Sequence, residues 1–322
     1  MIVHQPTQRG AALLSAMLTV TLVASLAAGS LWQQWRSVEV ETAERARVQS
    51  QWVLTGALDW SRLILREDAR TGGADHLAEP WAVPLQEARL STFLAADKSS
   101  PVDSDTMTQT FLSGQISDLQ SRLNVRNLVD SGRVSEAGMR AFAKLFEKLQ
   151  LPAAELTALA ENLRFALDTS PDNGSRRLAP LLPQRVNQLG WLGLSPKSLA
   201  LLSPYITLLP VATPVNLNTA DAMVLYASIA TLDMAQAQRM VSARQTNHFR
   251  TLADAAKLTG ETTSTLSDAQ HSVNSRFFEV HGRLRQDDVM VEQHSVLQRD
   301  AMEVKTLWRD NGPQWVPGNP LK

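Results

Sequence analysis

The sequence predicts an α+β chain: one long N-terminal helix, strands at both ends of the remainder, and a block of helices inserted between them. Three observations carry this. No charged residue stands between Gly10 and Arg36, and no proline between Pro6 and Pro80. Apolar residues recur at helical spacing through the middle of the chain. From Phe277 onward the pattern changes to strands separated by turn residues.

The first element is the apolar run. Roughly 25 residues at ~1.5 Å rise give ~37 Å of helix, enough to cross a bilayer core with some tilt. Arg9, the N-terminal amine and His4 precede it, whereas Arg36, Glu39 and Glu41 follow. Keeping positive charge on the cytoplasmic side orients the rest of the chain outward. Three processing readings fit this segment: a secretory signal cut near Ser25-Leu26-Ala27, an uncut anchor, or a leader ending at Gly10 with cleavage before Ala11. Beyond it, Val38, Ala43, Ala46, Val53, Ala57, Trp60 and Ile64 keep helical spacing, and Glu39, Glu41, Glu44, Arg45 and Arg47 take the other face. Thr71-Gly72-Gly73 supplies the stop. One helix from Ala11 to Arg70 would be ~90 Å long. Trp32 and Trp35 suit the outer membrane–water interface, and Trp52, Trp60, Trp81 and Trp308 are expected in the core.

Pro80, Pro84 and Pro101 break residues 74–110 into loops with short elements, and residues 113–129 read as a first strand pair. Helices are expected over Glu136–Gln150, Pro152–Asp168 and Pro196–Ser203, the last two with an early proline. Residues 215–260 resemble a helix-hairpin-helix unit. Asn216, Asn218 and Thr219 are expected to cap a helix over Ala220–Ile229, a second covers Met234–Arg244, and Phe249 and Leu252 pack a third. Strands follow over Phe277–Leu284, Val289–Leu297 and Val304–Trp308, with turns at Gln286-Asp287-Asp288 and Arg299-Asp300.

With 322 residues, 44% hydrophobic and 20% charged, the chain has the composition of a globular protein of about two domains. Net charge is −1 and cysteine is absent. That leaves no global attraction to nucleic acid and removes disulfides and thiolate chemistry. The six histidines follow no metal-ligand spacing, and neither a nucleophile elbow nor a phosphate loop occurs, so no enzyme activity and no catalytic residue is expected.

Several motifs stand in one order along the chain: Gly10-Ala11-Ala12-Leu13-Leu14, Glu79-Pro80-Trp81-Ala82, Gly114-Gln115-Ile116-Ser117-Asp118-Leu119, Arg122-Leu123-Asn124-Val125 with Asn127-Leu128, and Pro214-Val215-Asn216-Leu217-Asn218-Thr219-Ala220. Together they resemble the pilin superfamily, and within it the type II secretion minor pseudopilin K family. The resemblance implies a prepilin leader over 1–10, a transmembrane helix part over 11–35, and a pilin-like α/β domain over 36–129. It further implies an inserted α-helical domain over 130–272, returning pilin strands over 273–310 and a disordered tail over 311–322. It implies that prepilin peptidase cuts between Gly10 and Ala11, with N-methylation of Ala11, leaving a single-pass inner-membrane protein with a periplasmic head.

Most pilins carry Glu at the fifth mature position, whereas this chain has Ser15. A carboxylate in hydrocarbon costs a few kcal/mol unless paired, and a subunit with none above it has no amine to pair with. Ser15 therefore marks a filament tip, where the family's role is to initiate and cap the pseudopilus. The implied partners are the I, J and H minor pseudopilins and the major pseudopilin.

Family members also bind calcium through acidic loops. The nearest stretch here offers Asp168, Asp172 and Asn173, then Arg176 and Arg177, a weak donor set for a cation wanting six to eight oxygens. A rival function is an exported, anchored DNA-binding protein using the helix-hairpin-helix. Its hairpin, Ala230-Thr231-Leu232-Asp233, lacks the glycines that let backbone N–H groups approach phosphate, so no nucleic acid is expected.

Overall fold

The computed structural model describes residues 9–91, 110–168, 179–259, 266–286 and 289–312. Two units divide the chain, Met1–Val53 and Leu54–Lys322. Helix α1 (Arg9–Thr71) starts in the first and ends in the second. In the first unit it is apolar on every side from Ala11 to Trp35, and these side chains are exposed.

Within the second unit, five strands form an antiparallel sheet in the order β1 (Leu85–Arg89), β2 (Thr110–Asp118), β9 (Phe277–Gln286), β10 (Val289–Asp300), β11 (Glu303–Asn311). Between β2 and β9 the chain makes short ladders from β3 (Leu123–Asn124), β4 (Val129–Asp130), β5 (Arg133–Val134), β6 (Ile206–Thr207), β7 (Val215–Asn216) and β8 (His271–Ser272). The same stretch holds helices α2 (Glu136–Lys148), α3 (Ala153–Leu167), α4 (Pro196–Leu202), α5 (Ala222–Ser228), α6 (Met234–Thr246) and α7 (Leu252–Thr259).

The strand pair expected over 113–129 does not form. The Asp118 side chain accepts from Gln120 N and that of Asn124 from Arg126 N, so each starts a 3-10 turn and ends its strand. Local side-chain bonds to the backbone here win over the ladder. β2 instead pairs with β1 and β9. The three C-terminal strands form as expected, but the last reversal falls at Ala301-Met302, with Ala301 at φ 52°. Asp287, Asp288 and the tail from 313 lie outside the described residues.

Leu54, Leu58, Ser61 and Leu65 form the stripe of α1 that the sheet buries, against Trp81, Ile116, Phe278, Val280 and Leu297. This stripe lies one residue round from the expected Val53, Ala57, Trp60, Ile64 face. Both stripes are apolar, and the leucine-rich one takes the sheet. Opposite it, Gly114 and Gly282 pair across β2 and β9, and a Cβ on Gly282 would sit 3.1 Å from Leu54 Cδ2. Trp81 is 1% exposed, as expected for core, but Trp52 (73%) and Trp60 (51%) face outward. Trp308 is half-buried beneath the Arg185 guanidinium.

The helices bury a second core, centred on Phe142, Phe146, Leu159, Leu163, Leu225 and Met240. Ser135 and Ser195 cap α2 and α4, and Pro196 opens α4 at its first turn. Pro152 stands at the N-cap of α3, one place before the expected early helical position.

Candidate assembly site and the buried hub

The anchoring part of α1 meets its own polar demands. Ser15 Oγ donates to Ala12 O at 2.9 Å, and Thr19, Thr21 and Ser25 bond back in the same way. Hydrocarbon offers no water to satisfy a hydroxyl, so this internal bonding is what such a segment requires. Among the described residues this is the one helix long and apolar enough to cross a membrane. Gly10 and Ala11 both lie within it.

Sequence-distant motifs converge on one buried carboxylate. Asp118, at the end of β2, accepts from Gln120 N (2.7 Å), Asn216 Nδ2 (3.2 Å), Thr219 Oγ1 (2.5 Å) and Ser275 Oγ (2.6 Å). Burial pushes its pKa up to about 6, against the opposing pull of the bonds from Ser275, Thr219 and Gln120. Beside it Asp75 accepts from Ser275 N, and Asn216 also donates to Asp75 O. Arg299 closes the group, donating to Asp75, to Asp68 at 2.6 Å and to Ser275 O at 2.8 Å. Burial opposes its charge, but Asp75 and Asp68 outweigh that and raise its pKa. The hub thus ties the end of α1, the loop after it, β2, the 214–220 motif, the segment leading into β9, and β10 together.

This overturns the capping roles expected of Asn216, Asn218 and Thr219. The N-cap of α5 is Asp221, whose side chain accepts from Val224 N at 2.7 Å. Asn216 and Thr219 serve the hub. Asn218 forms a two-way bond with the backbone of Phe249, accepting from its N at 2.8 Å and donating to its O at 2.9 Å. Capping requires a side chain aimed at the helix's own first turn; Asn216 Oδ1 accepts from Asn218 N at 2.9 Å, ahead of the helix, and none of the three reaches the first turn of α5. Asn127, together with Asn124, which also caps its own 3-10 turn, clasps the 209–213 segment through Val211 O, Thr213 and Leu209 N.

The hairpin between α5 and α6 presents carbonyls. Lys144 Nζ donates to Ile229 O, Ala230 O and Leu232 O, at 2.9 to 3.1 Å. Asp233 caps α6 in a reciprocal box with Gln236. A phosphate would meet a carboxylate and filled acceptors there, so the DNA-binding alternative is not supported.

Asp168 is the C-cap of α3, and Asp172 and Asn173 lie outside the described residues. Two groupings escaped sequence reasoning: Asp68, Asp75 and Glu79; and His281, Glu292 and His294. The first is committed internally. Arg299 holds both aspartates, and Glu79 accepts from His76 N and Trp81 Nε1 at 2.8 Å each. Only the register of β9 against β10 creates the second, a signal that no local spacing carries.

A long helix, apolar in its first half, whose last turns pack an antiparallel sheet is the architecture of a pilin-type assembly subunit. Two models for type II secretion system protein K match the chain, over residues 121–211 and 215–274. Type II secretion system protein K of Pseudomonas aeruginosa is 26% identical over 333 residues, covering 96% of this chain and 95% of that one. The protein of the same name from Pectobacterium carotovorum subsp. carotovorum is 27% identical over 336 residues, covering 95% and 97%. A chain in the crystal structure of the GspK-GspI-GspJ complex from the enterotoxigenic Escherichia coli type 2 secretion system shares the fold. Its TM-score is 0.58 at 17% identity, covering 84% of this chain and 99% of that one. Across nearly its whole length the chain is thus similar to type II secretion system protein K, and these likenesses support a minor pseudopilin of that system.

Proposed function

We propose that this subunit occupies the tip of the pseudopilus, where it starts and caps the filament together with other minor pseudopilins. Prepilin peptidase would remove Met1 to Gly10 on the cytoplasmic side. Ala11 then becomes the methylated N-terminus, and the retained helix holds the head in the periplasm beside the inner membrane. The work is assembly rather than chemistry. Residues 130–272 form the inserted helical domain, whose bulk fits poorly into a regular lattice of pilin heads.

Ser15 carries this reading. Its hydroxyl is satisfied by Ala12 O within its own helix, so it asks nothing of a subunit above, whereas a buried glutamate would. The assembly of the similar-fold E. coli chain with GspI and GspJ supports the choice of I and J subunits as partners; the H subunit and the major pseudopilin complete the set. The exposed Trp60 on α1, beside the half-buried Ala57 and Ile64, suits lateral packing against another apolar helix.

Secretion by a strain deleted for its own protein K tests this. Wild type should restore export, and Gly10→Glu should leave an uncut precursor without export. Ser15→Glu should insert in the membrane yet restore export poorly. Full export by Gly10→Glu would contradict the proposal.

A further inference from the structure

β9 and β10 are antiparallel, with His281 directly opposite His294 and Arg283 opposite Glu292. Opposed residues, and those two apart on one strand, share a face of the sheet. His281, Glu292 and His294 therefore stand together. The two imidazoles stack at 4.1 Å between centroids, 12° apart. His294 is 5% exposed, yet neither Nδ1 nor Nε2 has a hydrogen-bond partner, and His281 Nε2 also lacks one. Buried polar atoms are nearly always paired, so three unmet imidazole nitrogens in one place call for a ligand.

Glu292 is held for the same purpose. Arg283 donates to its Oε1 at 2.7 Å, which leaves Oε2 turned toward His281 Nε2 at 3.9 Å. One donor atom from each of the three residues lies within 4.8 Å of the other two. Two imidazoles and a carboxylate are a zinc-class donor set, whereas calcium and magnesium ask for many oxygens. Tetrahedral bonds of ~2.0–2.1 Å bring donors to roughly 3.4 Å from one another. From within 4.8 Å, the donors reach that spacing by turning about their side-chain bonds.

We propose that His281, Glu292 and His294 bind one divalent transition-metal ion of the zinc class, with Arg283 positioning Glu292. A fourth position stays open to water or to a donor from elsewhere. The ion clips β9 to β10 at mid-sheet, and binding needs no other subunit.

Full-length protein in detergent, stripped with chelator, is titrated with Zn²⁺ against a chromophoric competitor. One Zn²⁺ per chain is expected, unaffected by excess Ca²⁺. His294→Gln and His281→Gln should each lose at least tenfold in affinity. His248→Gln, which alters the other stacked histidine pair with His76, should lose nothing. Cobalt(II) in place of zinc should give visible absorption of a tetrahedral site, abolished by His281→Gln. Because His281 is less buried than His294, its variant keeps the test sound if His294→Gln misfolds. Absence of saturable binding, or equal affinity in wild type and His281→Gln, would overturn the proposal.

Discussion

Arg299, near the end of β10, places one guanidinium nitrogen 2.6 and 2.7 Å from the two carboxylate oxygens of Asp75, in the loop after α1. Both side chains are buried. Removing one partner of such a pair strands the other charge, which costs about 3–5 kcal/mol. Arg299→Met should therefore destabilise the head by that amount in denaturant unfolding of the detergent-solubilised protein. Arg299→Lys should recover only part, because a single ammonium cannot reach Asp75, Asp68 and Ser275 O together. A loss under 1 kcal/mol for Arg299→Met would contradict the hub's role.

Two buried groups give opposite responses to acid. Asp118 has its folded pKa raised from 3.8 to about 6, so its contribution is greatest below about pH 4 and falls as pH rises through 6. Burial pushes His271 down from 6.5 to about 4, so its contribution is full above 6.5 and is lost as pH falls toward 4. Each difference converts to about 3 kcal/mol at most, so the two nearly cancel between pH 4 and 6. Asp118→Asn should lose stability on acidification more steeply than wild type, and His271→Gln less steeply. Parallel urea-unfolding profiles for the three proteins would exclude both shifts.

Gly138 decides between helix propensity and space. It sits in the first turn of α2, where alanine would gain about 1 kcal/mol by propensity. An added Cβ would lie 2.2 Å from Asn127 O and 2.9 Å from Asn127 C, both backbone atoms. Overpacking against backbone costs about 1–3 kcal/mol or more. Gly138→Ala should accordingly lower the unfolding free energy despite the better helix former, and an increase would refute the close approach.

Lys144 holds three hairpin carbonyls, and its ammonium also sits 4.2 Å from the Tyr226 ring centroid. Lys144→Met keeps the stem but leaves those acceptors without their charged donor. A loss of about 1–3 kcal/mol is expected in chemical denaturation. The full-length protein should show no salt-dependent retention on duplex DNA, with or without this change.

The elements were legible where the signal is local. The long helix, the helices at 136, 153, 196 and 234, and the three last strands follow from periodicity, proline and caps. The hub was not. Asn216, Asn218 and Thr219 look like caps because cap chemistry is short-range, whereas their partners Asp118, Ser275 and Phe249 lie far away in sequence. His281 and His294 are unremarkable by spacing, and only hairpin register makes them neighbours. The buried face of α1 was misread by one residue because both stripes are apolar, and no local rule says which one the sheet will take. Ser117-Asp118-Leu119 reads as continuing strand until Asp118 is seen turning back on Gln120 N.

The most direct measurement of the account is the N-terminus of the mature chain, by intact mass and sequencing of protein drawn from membranes of cells that carry prepilin peptidase. The mature chain is expected to start at methylated Ala11, with residues 11–35 still attached. A start near Ala28, on a head recovered free of the membrane, would contradict it.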